Sequence, residues 1–312
     1  MEKKYLLHGI DDLFIGNDSK IKNVLDVQKS DILCFGTGLE DYCNYKCIYC
    51  YAGDIEKKKK EDILTLERYF ELFQEAIDLG CTSVIITGAL SMAEPLMSPK
   101  LLPVIKFLKE HDITIVLFTN ASIFGDDETC KRIHGVCGEE LCKIFYKAGV
   151  SMIISCDSLD AANYDKIVAV KGAYKKFKLS INRLKQIGYS NVKELKGGTI
   201  ITRIAFSTVI TKSNFKELEM LQEYCHKNNW QYICKFPSLM GNAITNIDNF
   251  FSPNEAAERR DIIEKYSDKP QTLAIVQKDK RYCLMNQLGI AMNNKGEFLT
   301  CLSGTVAFRK ED

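Results

Sequence analysis

Six runs of mostly apolar residues, separated by stretches of helical periodicity, set the tightest limit on how this chain can fold. They fall at 31–35, 83–87, 114–119, 151–155, 199–209 and 230–236. A strand that is apolar on both faces has no side to offer to water, so it belongs to a sheet covered on both faces. The covers follow in the sequence. Segments 65–79, 101–110, 139–147, 171–186 and 215–227 carry apolar residues at helical spacing. In the first of them, Leu66, Tyr69, Phe70, Phe73 and Ile77 share one face, Thr65 suits an N-terminal cap and Gly80 a stop. Such alternation builds right-handed βαβ units and a parallel sheet. The fold expected is α/β: a partial (β/α)6 TIM-like barrel over 31–237, chosen over an open doubly wound sheet. An N-terminal extension, 1–30, precedes it. A C-terminal extension, 238–312, follows, and there the rhythm changes. Ser252-Pro253-Asn254-Glu255 has the cap, proline and glutamate of a helix start. Residues 289–301 read as a β-hairpin turning at Asn294-Lys295-Gly296.

Either architecture gathers ligands at the C-terminal ends of its strands. The loop leaving the first strand there is Cys43-Asn44-Tyr45-Lys46-Cys47-Ile48-Tyr49-Cys50. Three thiolates at this spacing can converge on one point, and soft ligands select zinc, copper(I) or iron–sulfur clusters. A closed structural zinc site uses four ligands, so this set is one short and leaves a position open for another molecule.

The N-terminus lacks a long apolar run and a cleavage site, and no segment is apolar enough to span a bilayer. A cytoplasmic protein is therefore expected, in which the 13 cysteines stay reduced and clusters of them mark metal or catalytic sites. Lys and Arg total 42 against 41 Asp and Glu, a net charge of +1. That balance gives no reason to expect nucleic acid or a membrane surface as a partner.

The form Cys-x3-Cys-x2-Cys, with Tyr49 before the last cysteine, resembles the radical S-adenosylmethionine superfamily. The resemblance implies that Cys43, Cys47 and Cys50 hold three irons of a four-iron four-sulfur cluster, and that S-adenosylmethionine takes the fourth iron. Thr87-Gly88-Ala89-Leu90-Ser91-Met92-Ala93-Glu94-Pro95 resembles the family's Gly-Gly-Glu-Pro turn, with three extra residues and Ala93 in place of a glycine. It implies a backbone approach to the cofactor at Gly88 and an acceptor for its ammonium at Glu94. At later strand ends, Asn120, Ser155 and Asp157 resemble cofactor-facing positions. Arg203, in the fifth strand, is expected to meet the cofactor carboxylate, and Val209 or Ile210 to pack on adenine. Cys156 is a candidate hydrogen-atom donor near the barrel mouth.

Cys283-x12-Gly296-x4-Cys301 resembles the start of a SPASM or twitch extension, implying Cys283 and Cys301 as ligands of an auxiliary iron–sulfur cluster. The remaining ligands of such a cluster do not appear. Cys130, Cys137, Cys142 and His134 crowd a long insertion and suggest either a further metal site or core packing. The resemblance implies a radical enzyme with an electron donor of flavodoxin or ferredoxin type. Its substrate is expected to be a peptide or protein, with a small molecule such as an aminocyclitol or sugar as the alternative. A reading of another class is a non-catalytic iron–sulfur or zinc protein.

Overall fold

The computed structural model describes residues 3–11, 33–51, 63–195, 197–268, 274–277, 280–283 and 289–299. Among these residues eight strands form the main sheet, in the order β13-β12-β2-β3-β4-β5-β8-β9. They are β2 (Cys34–Thr37), β3 (Ser83–Ile86), β4 (Thr114–Thr119), β5 (Ser151–Ser155), β8 (Ile204–Val209), β9 (Gln231–Lys235), β12 (Gly289–Met292) and β13 (Phe298–Leu299). All neighbours from β12 to β9 pair parallel, while β13 is antiparallel to β12. The six strands β2 to β9 are the six expected from sequence, and they form an open, partial barrel. The antiparallel hairpin of the C-terminal segment also forms, and its β12 pairs with β2. The sequence alone gave no sign of that pairing.

Helices cover the sheet. They are α1 (Leu66–Asp78), α2 (Leu101–Glu110), α3 (Asp127–His134), α4 (Gly138–Ala148), α5 (Ala161–Val168), α6 (Ala173–Ile187) and α7 (Leu218–Lys227). Past β9 lie α8 (Asn242–Thr245), α9 (Pro253–Glu258) and α10 (Arg260–Tyr266). In α1, Thr65 accepts from Arg68 N, and Tyr69, Leu72, Phe73 and Ala76 are buried on one stripe. Ser252 and Glu255 form the expected capping box at α9. The single helix expected after it breaks at Arg259 into α9 and α10. Helices α3 and α5 were not expected. Each is only eight residues long and opens on an Asp cap, Asp126 or Asp160.

The fifth apolar run divides. Its first part is β7 (Thr199–Thr202), which leaves the main sheet to pair with β1 (Lys4–Leu7) and β6 (Lys193–Leu195). Only β8 stays in the main sheet. The two parts separate at Arg203, whose side chain is anchored elsewhere, as described below. The remaining strands, β10 (Ala274–Gln277) and β11 (Lys280–Cys283), form a separate antiparallel pair.

Candidate active site

Because β2, β3, β4, β5 and β8 run parallel, Thr37, Ile86, Thr119, Ser155 and Val209 end on the same side of the sheet. The cysteine loop starts there and is fastened at several points. Lys46 N and Ile48 N donate to Val168 O and Ile167 O, at the C-terminal end of α5, at 3.1 and 2.9 Å. Asn44 Nδ2 donates to Ser122 Oγ at 2.8 Å, and Asn120 Nδ2 to Asn44 Oδ1 at 2.9 Å. Glu94 N donates to Tyr42 O at 3.0 Å.

A cavity of about 200 Å³ opens between this loop and the strand ends. Cys43, Cys47, Cys50 and Tyr49 line it, and so do Gly88, Glu94, Asn120 and Ser155. Eight of the ten residues assigned to the primary cluster and its cofactor therefore share one space. Among the described residues no three candidate ligands lie at metal-binding spacing. The thiols are nonetheless close enough to influence one another. Burial pushes Cys43 up to about 12 and Cys47 well above the usual thiol range, and neighbouring thiols add to both shifts. Buried thiols of this kind keep their protons until a metal displaces them. Three soft donors and several hydrogen-bonding groups around one cavity fit a thiolate-ligated cluster with one position left for a second molecule.

Glu94 is buried at the cavity wall. Its Oε1 accepts from Leu96 N and Thr119 Oγ1, and its Oε2 from Asn120 N at 2.8 Å. Burial nevertheless raises its carboxyl to about 7. Gly88 lines the cavity and is also constrained by its own turn. A Cβ there would stand 1.7 Å from Ala93 O, because the extra residues fold the turn back on itself. Ser91 N and Ala93 N both reach Gly88 O, and Met92 adopts a φ of 60°. Glycine is required here by the turn's own backbone.

Asp157 lies behind the cavity wall. It accepts from Tyr49 Oη at 2.7 Å and from Val209 N at 2.8 Å, and burial raises its carboxyl to about 6. Its contact with the cavity runs through Tyr49.

Two expectations are corrected. Cys156 is fully buried, its Sγ faces Ser158 O at 3.8 Å, and it does not line the cavity. The side chain leaves the end of β5 on the face turned into the core. Arg203 stands at the opposite end of the strands. Its guanidinium donates to Tyr146 O and Val150 O at 3.1 and 2.9 Å, and lies between the rings of Tyr146 and Tyr189. The anion expected of it is replaced by the carbonyls at the C-terminal end of α4. Cys130 and Cys142 are core residues, and His134 is bonded to Leu96 O. The backbone of Cys283 ends β11, and Cys301 lies outside the described residues.

Sequence reading missed Tyr45, Tyr51 and Tyr164, which also line the cavity, and Asn242. Asn242 Nδ2 donates to Cys47 O at 3.1 Å and Asn242 N to Cys50 O at 2.8 Å. The only sequence signal was the aromatic content of the loop and the glycine before Asn242.

A parallel β/α sheet bearing three thiols at its C-terminal edge defines an enzyme class, and comparison with known proteins agrees. The model of the Radical SAM superfamily matches residues 40–224, and the chain belongs to that family. Radical SAM enzymes use a four-iron four-sulfur cluster and S-adenosylmethionine. A GTP 3',8-cyclase of Microcystis aeruginosa is 29% identical over 161 residues, covering 50% of this chain and 44% of that one. The chain thus spans less than half of that relative's length. SuiB of Streptococcus suis, solved with S-adenosylmethionine, superposes with a TM-score of 0.63 at 16% identity, over 87% of this chain and 60% of that one. The anSMEcpe structure with bound AdoMet superposes at a TM-score of 0.51 and 13% identity, covering 86% of this chain and 74% of that one. Both likenesses concern the fold. No described helix is long and apolar enough to cross a membrane.

Proposed function

We propose that the cavity holds the cluster through Cys43, Cys47 and Cys50 and receives S-adenosylmethionine against Gly88, Glu94, Asn120 and Ser155. The carrying observation is that these residues, 112 positions apart at their extremes (155 − 43), line one space. When bound, the cluster supplies one electron that cleaves S-adenosylmethionine to methionine and a 5′-deoxyadenosyl radical, which takes a hydrogen atom from a substrate carbon. The chain's own contribution is to bind, orient and exclude water. Glu94 offers an ionised oxygen to an ammonium, a charge-assisted contact. Tyr49, fixed by Asp157, holds the wall beside the last thiolate. The electron donor is a flavodoxin or ferredoxin type protein.

The substrate is a peptide or protein segment. Met240, Ile244 and Ile247 expose apolar side chains on the segment that Asn242 bonds to the cysteine loop, beside the cavity. Exposed apolar groups grouped at a site mark an interaction surface. A small-molecule substrate is the second reading, favoured by the relatives that are GTP 3',8-cyclases. Cys283 and Cys301 are carried as ligands of an auxiliary cluster; wild-type iron content that falls by half in Cys283→Ala/Cys301→Ala supports that assignment.

The test of the reaction is anaerobic reconstitution of wild type and of the Cys43→Ala, Cys47→Ala and Cys50→Ala variants, alone and combined. Each variant should fail to release 5′-deoxyadenosine. Release from the triple variant overturns the reading.

A further inference from the structure

The inner face of the partial barrel is filled at one end and open at the other. Strand side chains alternate between faces, so residues two apart share one. Ile85, Val116, Ile153 and Ala205, from β3, β4, β5 and β8, form a buried cluster with Leu7 of β1, and Ile10 packs against it. Ser83 Oγ, at the start of β3, donates to Gly9 O at 2.8 Å, so the segment after β1 closes the N-terminal end of the strands. Two residues further along each strand, Phe118, Ser155 and Ser207 are only half-buried. Phe118 and Ser155 also line the cavity, so the cavity opens on this face.

β9 carries the alternation to the edge of the sheet. Tyr232 and Cys234 belong to the core between sheet and helices, while Ile233 packs against the inner cluster. Lys235 therefore leaves the C-terminal end of β9 on the face where the cavity opens, and it is exposed. Register places it. Ser155 pairs with Ser207 and Ser207 with Ile233, while Lys235 pairs with Val209. Two strand spacings, together about 10 Å, separate β9 from β5. Of the residues that β2, β3, β4, β5, β8 and β9 place on this face, Lys235 is the charged one. Its ammonium makes no hydrogen bond or ion pair among the described residues. Asp157 is the charge that acts on it, but that carboxylate already accepts from Tyr49 and Val209.

A lysine on an outer helix stays in water and needs no ligand. A lysine facing the open half of a barrel is covered by whatever binds there, and a covered ammonium requires an anion. One compact point charge matches one carboxylate. A triphosphate carries several charges, and this face offers no second cation among the described residues.

Deepening the substrate reading above, and resting on it, we propose that Lys235 binds a carboxylate of the substrate, the side chain of an aspartate or glutamate in the peptide segment, and so selects which residue is presented to the cofactor. It is a specificity-determining residue. It discriminates against the matching amide, which would leave the ammonium covered and unpaired.

The test compares wild type, Lys235→Met and Lys235→Arg, each reconstituted anaerobically at full length and supplied with S-adenosylmethionine. Methionine keeps an unbranched stem and removes the charge. The probes are four pools of fluorescent hexapeptides, capped at both ends, with Asp, Glu, Asn or Gln fixed at one position and uncharged residues elsewhere. Fluorescence anisotropy reads their binding; calorimetry reads the binding of GTP and of S-adenosylmethionine. Wild type should bind at least one acidic pool about tenfold tighter than its amide counterpart. Lys235→Met should bring the two within about twofold, and Lys235→Arg should keep most of the preference. Equal binding of acidic and amide pools by wild type, binding of neither, or a preference that survives in Lys235→Met overturns the proposal. GTP binding that is lost in Lys235→Met, with no acidic preference in wild type, gives the cation to a phosphate and overturns it too. A loss of S-adenosylmethionine affinity in Lys235→Met with the peptide preference intact makes Lys235 a counter-charge for Asp157 and has the same consequence. Should Lys235→Met fail to fold, Lys235→Gln takes its place under the same criteria. Wild type that holds its cluster yet releases no 5′-deoxyadenosine overturns the radical function itself. Release of 5′-deoxyadenosine without an acidic preference overturns the carboxylate assignment alone.

Discussion

Asn242 donates its side-chain amide to the carbonyl of Cys47 across 195 positions of sequence. Its backbone amide holds Cys50 in the same way. A residue on α8, past β9, thus clasps the loop that follows β2. Gly241 makes the clasp possible: its φ is +55°, and a Cβ would sit 2.3 Å from Tyr51 O. Asn242→Ala removes one of the two bonds and leaves the Cys47 carbonyl without that donor, at a cost of about 1–2 kcal/mol. The loaded variant should lose iron to EDTA several-fold faster than wild type. Gly241→Ala should be worse, because both the backbone angle and the contact oppose a side chain. Equal rates of iron loss in Asn242→Ala and wild type would remove the clasp from the account.

Gly88→Ala tests the turn between β3 and Glu94. The added methyl meets Ala93 O at 1.7 Å, and a backbone atom cannot yield as a flexible side chain would. The 88–94 turn must open, which displaces the Glu94 carboxylate from Asn120 N and Thr119 Oγ1. Binding of S-adenosylmethionine, measured by calorimetry on the loaded protein, should weaken by at least tenfold, while α1 and α2 keep the far-ultraviolet circular dichroism close to wild type.

Glu94 also makes stability depend on pH. Burial raises its carboxyl from 4.5 to about 7, so the folded chain holds this proton more tightly than the unfolded chain does. The contribution to stability is fully present below pH 4.5 and is lost as pH rises through 7. Asp157, raised from 3.8 to about 6, acts in the same sense at lower pH. For Glu94 the change is on the order of 3 kcal/mol, at about 1.4 kcal/mol per unit. Urea titrations of the metal-free protein at pH 5 and pH 8 should show this loss. Glu94→Gln should reduce stability at both values, since its amide faces Asn120 N, but flatten the difference between them. A wild-type slope retained in the Gln variant assigns the effect to other groups.

How far sequence reaches can be judged from the two ends of the fifth strand. Its apolar run was plain at 199–209, and a buried strand had to lie there. The division at Arg203 was not, because it depends on where α4 ends in space. A cation in an apolar strand could equally have faced a ligand. At the other edge, that Cys43, Cys47, Cys50, Glu94, Asn120 and Ser155 gather at one cavity was legible because each lies at a strand end or in the loop that leaves one. Tyr164 and Asn242 were not. One sits on a short helix whose pattern is hidden by its length, and the other is joined to the loop only by tertiary folding. Cys156 misled for the opposite reason: its position at a strand end was right, but a one-residue step along the chain turns the side chain to the other face.

Arg203 gives the sharpest separation of structure from catalysis. Its guanidinium bonds Tyr146 O and Val150 O and stacks at 4.8 and 4.7 Å on Tyr146 and Tyr189. Carbonyls at a helix C-terminus carry the negative end of the helix dipole, so the charge is well placed there. Arg203→Ala should therefore lower the stability of the protein by about 3 kcal/mol, combining lost charged hydrogen bonds with a lost cation–π contact. Arg203→Lys should recover only part, because an ammonium cannot reach several carbonyls in one plane while stacking on two rings. The affinity for S-adenosylmethionine in the folded, loaded variants should stay within twofold of wild type. A tenfold loss of affinity with stability unchanged would return Arg203 to the cofactor.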